Sequence, residues 1–123
     1  MGNENSLKIF EDKNIRTHWD DENEKWLISI IDVIEILTKN NRPRKYWSDL
    51  KSKLKKEGSE VSENIGQLKM KAPDGKMRLT DVANTEQLFR LIQSIPSPKA
   101  EPFKQWLAKL NAKMILEEQK KLK

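Results

Sequence analysis

The sequence predicts an α+β fold: one small domain with two β-hairpins packed against about four helices, plus a charged helical extension at the C-terminal end. Three observations support this class. The chain has 123 residues, which is the size of a single domain. Apolar and polar residues alternate in two separate stretches, as in half-buried strands. Elsewhere, apolar residues recur at three- and four-residue spacing, which is typical of amphipathic helices.

The first hairpin leads directly into the first helix. Apolar Ile15 and Trp19 alternate with polar residues, and Trp26 and Ile28 resume this period after an acidic connection. Ser29 can then cap a helix, since its hydroxyl can accept a hydrogen bond from a free backbone N–H. The broad apolar face of that helix consists of Ile30, Ile31, Val33, Ile34 and Leu37. We expect this helix to be the most buried one.

A second helix is predicted from Pro43 to about Glu57, after a short turn. Its apolar side chains fall on one face, and basic and polar side chains follow a strip about a quarter turn away. The apolar face comprises Trp47, Leu50 and Leu54. The basic strip comprises Arg44, Ser48, Lys51 and Lys55, and Arg42 and Lys45 lie near it. The order helix, short turn, helix is the arrangement with which helix-turn-helix proteins place a reading helix in a major groove.

The second hairpin is predicted on both sides of the turn sequence Pro73-Asp74-Gly75. Apolar Leu68, Met70, Ala72, Met77 and Leu79 alternate with basic residues. We therefore expect one apolar side and one basic side. The predicted basic side comprises Lys69, Lys71, Lys76 and Arg78.

Two more helices complete the predicted domain, which extends over residues 7–110. Asn84 and Gln87 have the spacing of a capping box at the start of the third helix, which Pro96 ends. Ser97 and Pro98 restart the chain as a fourth helix. Residues 111–123 are predicted to be a charged helical extension.

Composition excludes several classes of function. The sequence has no cysteine and one histidine, so we predict neither a metal site nor a cofactor, and no catalytic residues. We interpret Asp32 and Glu35 as the polar face of a helix, and the four tryptophans as core anchors rather than base-stacking platforms. No apolar run reaches the roughly 20 residues of a membrane span, and no signal peptide is evident at the start. We expect a soluble cytoplasmic protein.

Charge is distributed unevenly along the chain, whose net charge is +5. Residues 10–38 contain three basic and eight acidic residues, whereas residues 39–78 contain twelve basic and five acidic ones. Such a basic region is typical of a phosphate-binding surface. Charge alone equally allows a solvated helix face and an edge ribbon protected by lysines. The acidic and basic asymmetry would also suit a protein partner, and charge does not separate DNA from RNA or exclude a homodimer.

Two segments of sequence carry a family resemblance. These are IIDVIEIL at 30–37 and, more specifically, LFRLIQSIPSPKAEPFKQWLAKL at 88–110. Both resemble the Bro-N domain of BRO family and prophage antirepressor-type proteins, and the second also resembles a subgroup compared with DNA-damage-inducible protein D. The resemblance implies an α+β domain that binds DNA in transcription regulation, usually joined to a variable C-terminal domain.

Overall fold

A five-stranded antiparallel sheet and the helices packed on it form the fold of the computed structural model, which describes residues 4–60 and 65–121, with side chains for residues 8–60 and 65–110. The strands are β1 (Glu4–Phe10), β2 (Lys13–Asp20), β3 (Lys25–Ser29), β4 (Gly66–Lys71) and β5 (Met77–Ala83), in the spatial order β1-β2-β3-β5-β4. The helices are α1 (Ile30–Thr38), α2 (Pro43–Lys56), α3 (Thr85–Gln93) and α4 (Ala100–Lys121). The predicted α+β class is confirmed.

Both predicted hairpins are present, as β2–β3 and β4–β5, and they belong to one sheet. The pairs Ile28–Ala83 and Ser29–Val82 join β3 to β5. The edge strand β1 was not predicted, and it pairs with β2 along its full length. Glu11 and Asp12 connect β1 and β2 with φ angles of 46° and 66°. Two consecutive residues with positive φ give a tight turn whose twist matches that of the flanking strands.

The hydrophobic core lies where the helices meet the middle of the sheet. Ile15, Ile28 and Ala83 are fully buried on the sheet side. The helices contribute Ile30, Val33, Ile34, Leu37, Trp47, Leu50, Leu54, Leu88, Leu91, Ile92, Phe103 and Leu107. The apolar faces of all four helices therefore pack in one cluster, which includes the faces predicted for α1 and α2. Burial of these side chains is the main source of stability in a domain that has no disulfide.

The helix ends follow the predicted capping. Ser29 accepts a hydrogen bond from the backbone N–H of Asp32 at the start of α1. Asn84 and Gln87 form a complete capping box at the start of α3. Before α4, the Ser97 hydroxyl accepts from the Lys99 N–H and donates to the carbonyl of Leu37. This last contact fixes the entry of α4 against the end of α1.

The four tryptophans differ in their environment. Trp47 is buried, and Trp26 and Trp106 are partly buried against the core, as expected of anchors. Trp19 is half-buried and packs edge-on against Trp26, with ring centroids 5.2 Å apart. It therefore stabilises the β2–β3 hairpin rather than the central core.

A half-buried ion pair between Arg16 and Asp32 joins three elements. The guanidinium donates through Nε and Nη2 to the two carboxylate oxygens of Asp32, at 2.9 and 3.0 Å. Its Nη1 donates to the carbonyl of Lys71 at 3.1 Å, and its Nη2 also lies 3.3 Å from the Ser29 hydroxyl. Asp32 thus holds β2 to α1 instead of lying on a solvated helix face, because its partner is supplied by a strand 16 residues away in sequence.

Candidate nucleic-acid interface

Helix α2 has the two faces that its sequence predicts. Trp47, Leu50 and Leu54 are buried. The exposed residues of the predicted set are Arg42, Arg44, Lys45, Ser48 and Lys55, while Lys51 is half-buried. Lys45 also lies 3.3 Å from the Asp49 carboxylate across one helical turn, on the solvent side. The helix therefore anchors itself through one face and offers a basic face to an anion.

The N-terminal end of α2 concentrates positive charge. Pro43 occupies the first turn, Arg42 precedes it without a side-chain capping bond, and the first turn contains no acidic residue. Arg44 and Lys45 follow directly. Because a helix dipole is positive at this end, cations placed there raise the electrostatic energy of the free protein. A phosphate bound at this end would lower that energy.

Asp81 on β5 connects α2 to the second hairpin. Its carboxylate accepts from Trp47 Nε1 at 2.7 Å, from Lys51 Nζ at 3.2 Å and from Gln67 Nε2 at 2.9 Å. Burial by itself would raise the pKa of Asp81, but the hydrogen bonds from Trp47, Gln67 and Lys51 outweigh it, so that the pKa is lowered. Lys51 is thereby drawn towards the sheet, and its charge is partly balanced inside the protein.

A groove of about 230 Å³ lies between α2 and β5 and is lined by both elements. Its walls include Arg44, Ser48 and Lys51 from the basic strip, and Leu79 and Asp81 from the strand. The strip and the hairpin therefore border the same depression. The structure thus brings together three of the four predicted strip residues beside the second hairpin.

The predicted basic side of the second hairpin is wrong. In the observed register, Lys69 pairs with Leu79 and Lys71 pairs with Met77, whereas Met70 pairs with Arg78. Residues that are directly opposite each other in a sheet point to the same side. Lys69 and Lys71 therefore share a side with Met77 and Leu79, and Arg78 lies on the other side together with Met70.

The turn is the physical reason for this difference. The N–H of Ala72 donates to the carbonyl of Lys76, and the N–H of Gly75 donates to the carbonyl of Ala72, both at 2.8 Å. With this turn, even-numbered residues of β4 lie opposite even-numbered residues of β5. Because side chains alternate along a strand, Lys76 then lies on the same side as Arg78. A turn longer or shorter by one residue would reverse the sides of β5. Alternation within each strand predicts which residues share a side of that strand, but not which side of β4 faces the same way as which side of β5.

The two sides of the hairpin consequently differ in chemistry. We call the side with Gln67, Lys69, Lys71, Met77, Leu79 and Asp81 the groove side, since Asp81 contacts α2 from it. On the opposite side, Arg78 donates to the carboxylate of Asp74. That bond, with a second from the backbone N–H of Lys76, lowers the pKa of Asp74. Leu79 and Asp81 of the groove side border the basic strip, whereas Arg78 is balanced by its own turn.

The positions of several residues of this surface were not predicted from the sequence. Nothing in the local sequence around Asp81 indicated its role, since the residues that it bonds on α2 lie 30 and 34 positions away. Met77 and Leu79 were assigned to an apolar side of the hairpin because they alternate with basic residues, but they are 55% and 60% exposed and lie beside Lys71 and Lys69. Only the cross-strand register reveals their position.

Residues 8–60 and 65–110, whose side chains the structure describes, hold no group of three or more His, Cys, Asp or Glu residues that could bind a metal ion. In the same residues, no helix is both long and apolar enough to cross a membrane.

Comparison with known protein families gives a match over most of the chain. The family model described as BRO family, N-terminal domain (Bro-N) matches residues 14–113. This range includes α1, α2, the second hairpin and α3. No curated protein and no solved structure matches the chain.

Proposed function

This chain belongs to the Bro-N family, and we propose that it is a DNA-binding regulatory domain of a phage antirepressor-like protein, with no catalytic activity of its own. The family is generally associated with antirepressor-like proteins and with DNA binding. The observation that carries the proposal is the exposed basic face of α2, which begins at a helix end rich in arginine and borders a groove shared with β5.

The proposed contacts come from the N-terminal end of α2, from its basic strip and from the groove side of the hairpin. Arg42, Arg44 and Lys45 lie at the positive end of the α2 dipole and would bind phosphates. Ser48 lies one turn further along the basic strip, where a hydroxyl can donate to a phosphate or to a base edge. Lys69, on the groove side of the hairpin, would bind a phosphate of the DNA backbone.

The order α1, turn, α2 favours a duplex as the ligand. Four residues, 39–42, separate the two helices, and α1 is the better buried of the two. This is the relation between the supporting and the reading helix of a helix-turn-helix. The β4–β5 hairpin adds a second contact beside α2, so the protein would span more of the duplex than one helix does.

Fluorescence anisotropy with a labelled duplex across a salt series tests the proposal. Neutralising about four phosphates should give a slope of log K against log salt of about −3.6. A slope near zero would contradict DNA binding through this surface. Competition with single-stranded DNA and with double-stranded RNA completes the experiment. If the RNA displaces the labelled duplex at concentrations at which unlabelled duplex DNA does not, the surface binds RNA instead.

A further inference from the structure

Two large apolar side chains are exposed on the groove side of the hairpin. Met77 is 55% and Leu79 is 60% exposed, although the neighbouring β5 residues Thr80 and Val82 are buried. Exposing such side chains to water costs free energy that core positions avoid. A single exposed apolar residue is common, but these two lie two residues apart on one side of a paired strand.

Each of these side chains has a lysine directly across the ladder. Leu79 pairs with Lys69, and Met77 pairs with Lys71. Cβ atoms of such cross-strand pairs are about 5 Å apart. The groove side therefore repeats one unit, an apolar side chain beside an ammonium group, held rigid by backbone hydrogen bonds. That combination suits a nucleic-acid duplex, since its phosphates can pair with the ammonium groups and its stacked bases can contact the apolar side chains.

Leu79 is also close to the basic strip. It lines the same groove as Arg44 and Ser48, and it lies two residues before Asp81 on the groove side of β5. A duplex bound along α2 would therefore meet Leu79 at the same time. Leu79 thus borders the same groove as Arg44 and Ser48, and Met77 lies two residues away on the same side of β5.

We propose that the groove side of the hairpin enters the minor groove of DNA, where Leu79 and Met77 insert as wedges at base steps while Lys69 and Lys71 hold the adjacent phosphates. The inference rests on the proposed DNA binding and specifies its mode. Residues two apart on a strand are separated by about 6.8 Å, which matches about two base steps of 3.4 Å. Apolar wedges of this kind partly unstack the bases and bend the duplex.

Charge complementarity favours DNA over a protein as the occupant of this side. The wedge residues are framed by Lys69 and Lys71, and Arg44 lies across the groove. Asp81 on the groove side is already bonded to Trp47, Lys51 and Gln67. Asp32 and Glu35 of α1 line a cavity together with Lys71 and Met77, and Asp32 is paired with Arg16. An apolar protein surface would have to bury these lysines, whereas phosphates provide their counter-charge.

The test uses the full chain and a duplex with a central TA step next to 2-aminopurine, whose fluorescence rises when the base unstacks. Flexible pyrimidine–purine steps are the ones most easily opened. The variant is Met77→Thr with Leu79→Thr, which places a polar residue of high strand propensity at both positions. The matched control is Ile9→Thr, because Ile9 is 63% exposed on the edge strand β1 at the far end of the sheet order.

We expect the wild-type chain and Ile9→Thr to raise the fluorescence and to prefer the TA duplex over an A-tract duplex by about tenfold. The double variant should lose both effects and keep the salt slope, because its lysines are intact. Salt-dependent binding without a fluorescence rise in the wild-type chain would overturn the wedge and leave the proposed function standing. An unchanged rise in the double variant would also overturn it, whereas no salt-dependent binding at all would overturn the proposed function itself.

Discussion

Helix α2 and the β4–β5 hairpin were both predicted to be basic on one side and apolar on the other, and only α2 has that form. In α2, every apolar residue assigned to the buried face is buried. In the hairpin, Arg78 lies on the side of Met70, and Leu79 lies beside Lys69. The comparison shows that the faces of a helix follow from local geometry, whereas the sides of a hairpin depend on how its turn sets the register.

The two regions also differ in how their charges are balanced. Arg44 of α2 is exposed beside a groove, while Arg78 of the hairpin donates to Asp74 within the same turn. Asp81 joins the regions by accepting from both α2 and β4. The α2 side is therefore the stronger anion-binding candidate, and the hairpin supports it.

The largest expected effect is on the α2 side. We predict that Arg42→Glu with Arg44→Glu lowers DNA affinity about 50-fold and makes the salt slope less steep by about two. The free energy of unfolding should stay the same or rise by about 0.5 kcal/mol, because acidic residues at a helix N-terminus complement the dipole. Anisotropy and chemical denaturation measure the two quantities.

A charge-matched control is Lys25→Glu with Arg90→Glu, on β3 and α3, outside this surface. Both side chains are exposed. If this control weakens binding as much as the α2 variant does, net charge rather than the α2 surface governs affinity.

The link between the two regions is tested by Asp81→Ala. The change leaves the indole N–H of the buried Trp47 without its acceptor and should lower the free energy of unfolding by about 2 kcal/mol. Asp49→Ala removes the same charge from an exposed pair and should change it by less than about 0.5 kcal/mol. Equal losses in urea denaturation would show that Asp81 does not hold α2 to the hairpin.

The same carboxylate gives a pH dependence. Since the pKa of Asp81 is lowered from its usual 3.8, its contribution to stability is complete above that value and is lost as the pH falls through the lowered pKa. Stability measured between pH 5 and pH 2 should therefore fall more steeply in the wild-type chain than in Asp81→Asn, where this proton uptake is absent. Identical slopes would remove Asp81 from the acid response.

The two sides of the hairpin can be compared directly. Lys69→Gln with Lys71→Gln should lower DNA affinity about tenfold, since both lysines lie on the groove side. Lys76→Gln with Arg78→Gln removes the same charge from the opposite side and should lower it about threefold or less. Anisotropy at one salt concentration ranks them, and the reverse order would place the DNA on the Arg78 side.

The smallest effect concerns the turn that sets the register. Gly75 has a φ of +85°, so Gly75→Ala should lower the free energy of unfolding by about 1 kcal/mol. Gly66→Ala in the same hairpin would place its Cβ in ordinary contact, 3.6 Å from Val82, and should cost less. Urea denaturation of the two variants checks this order. An equal loss in the free energy of unfolding would mean that a side chain at position 75 does not strain the turn.

Much of the fold was predictable because its signals are local. The caps at Ser29 and Asn84 are confirmed, as are the strands around Trp19 and Trp26. Strand β1 was missed because its short stretch offers little alternation and its connection is a two-residue turn without glycine. The boundaries at residues 7 and 110 remain predictions, and α4 continues without a break across the second.

The candidate site was predictable only in part. The exposed basic residues of α2 followed from helical periodicity, and their role in binding remains a prediction. Lys51 was predicted to contact nucleic acid, and in the structure its Nζ lies 3.2 Å from the Asp81 carboxylate. Its partner lies 30 residues further along the chain, so no local pattern could indicate the pair.

By itself, the sequence determined the α+β class, the amphipathic face of α2 and the basic middle of the chain, because periods of 3.6 and 2 residues and charge density are properties of neighbouring residues. Only the tertiary structure decided that the hairpins share one sheet, that Arg16 binds Asp32, and that Leu79 borders the groove beside Arg44. These depend on strand register and long-range packing, which are settled when the whole chain buries its apolar surface at once.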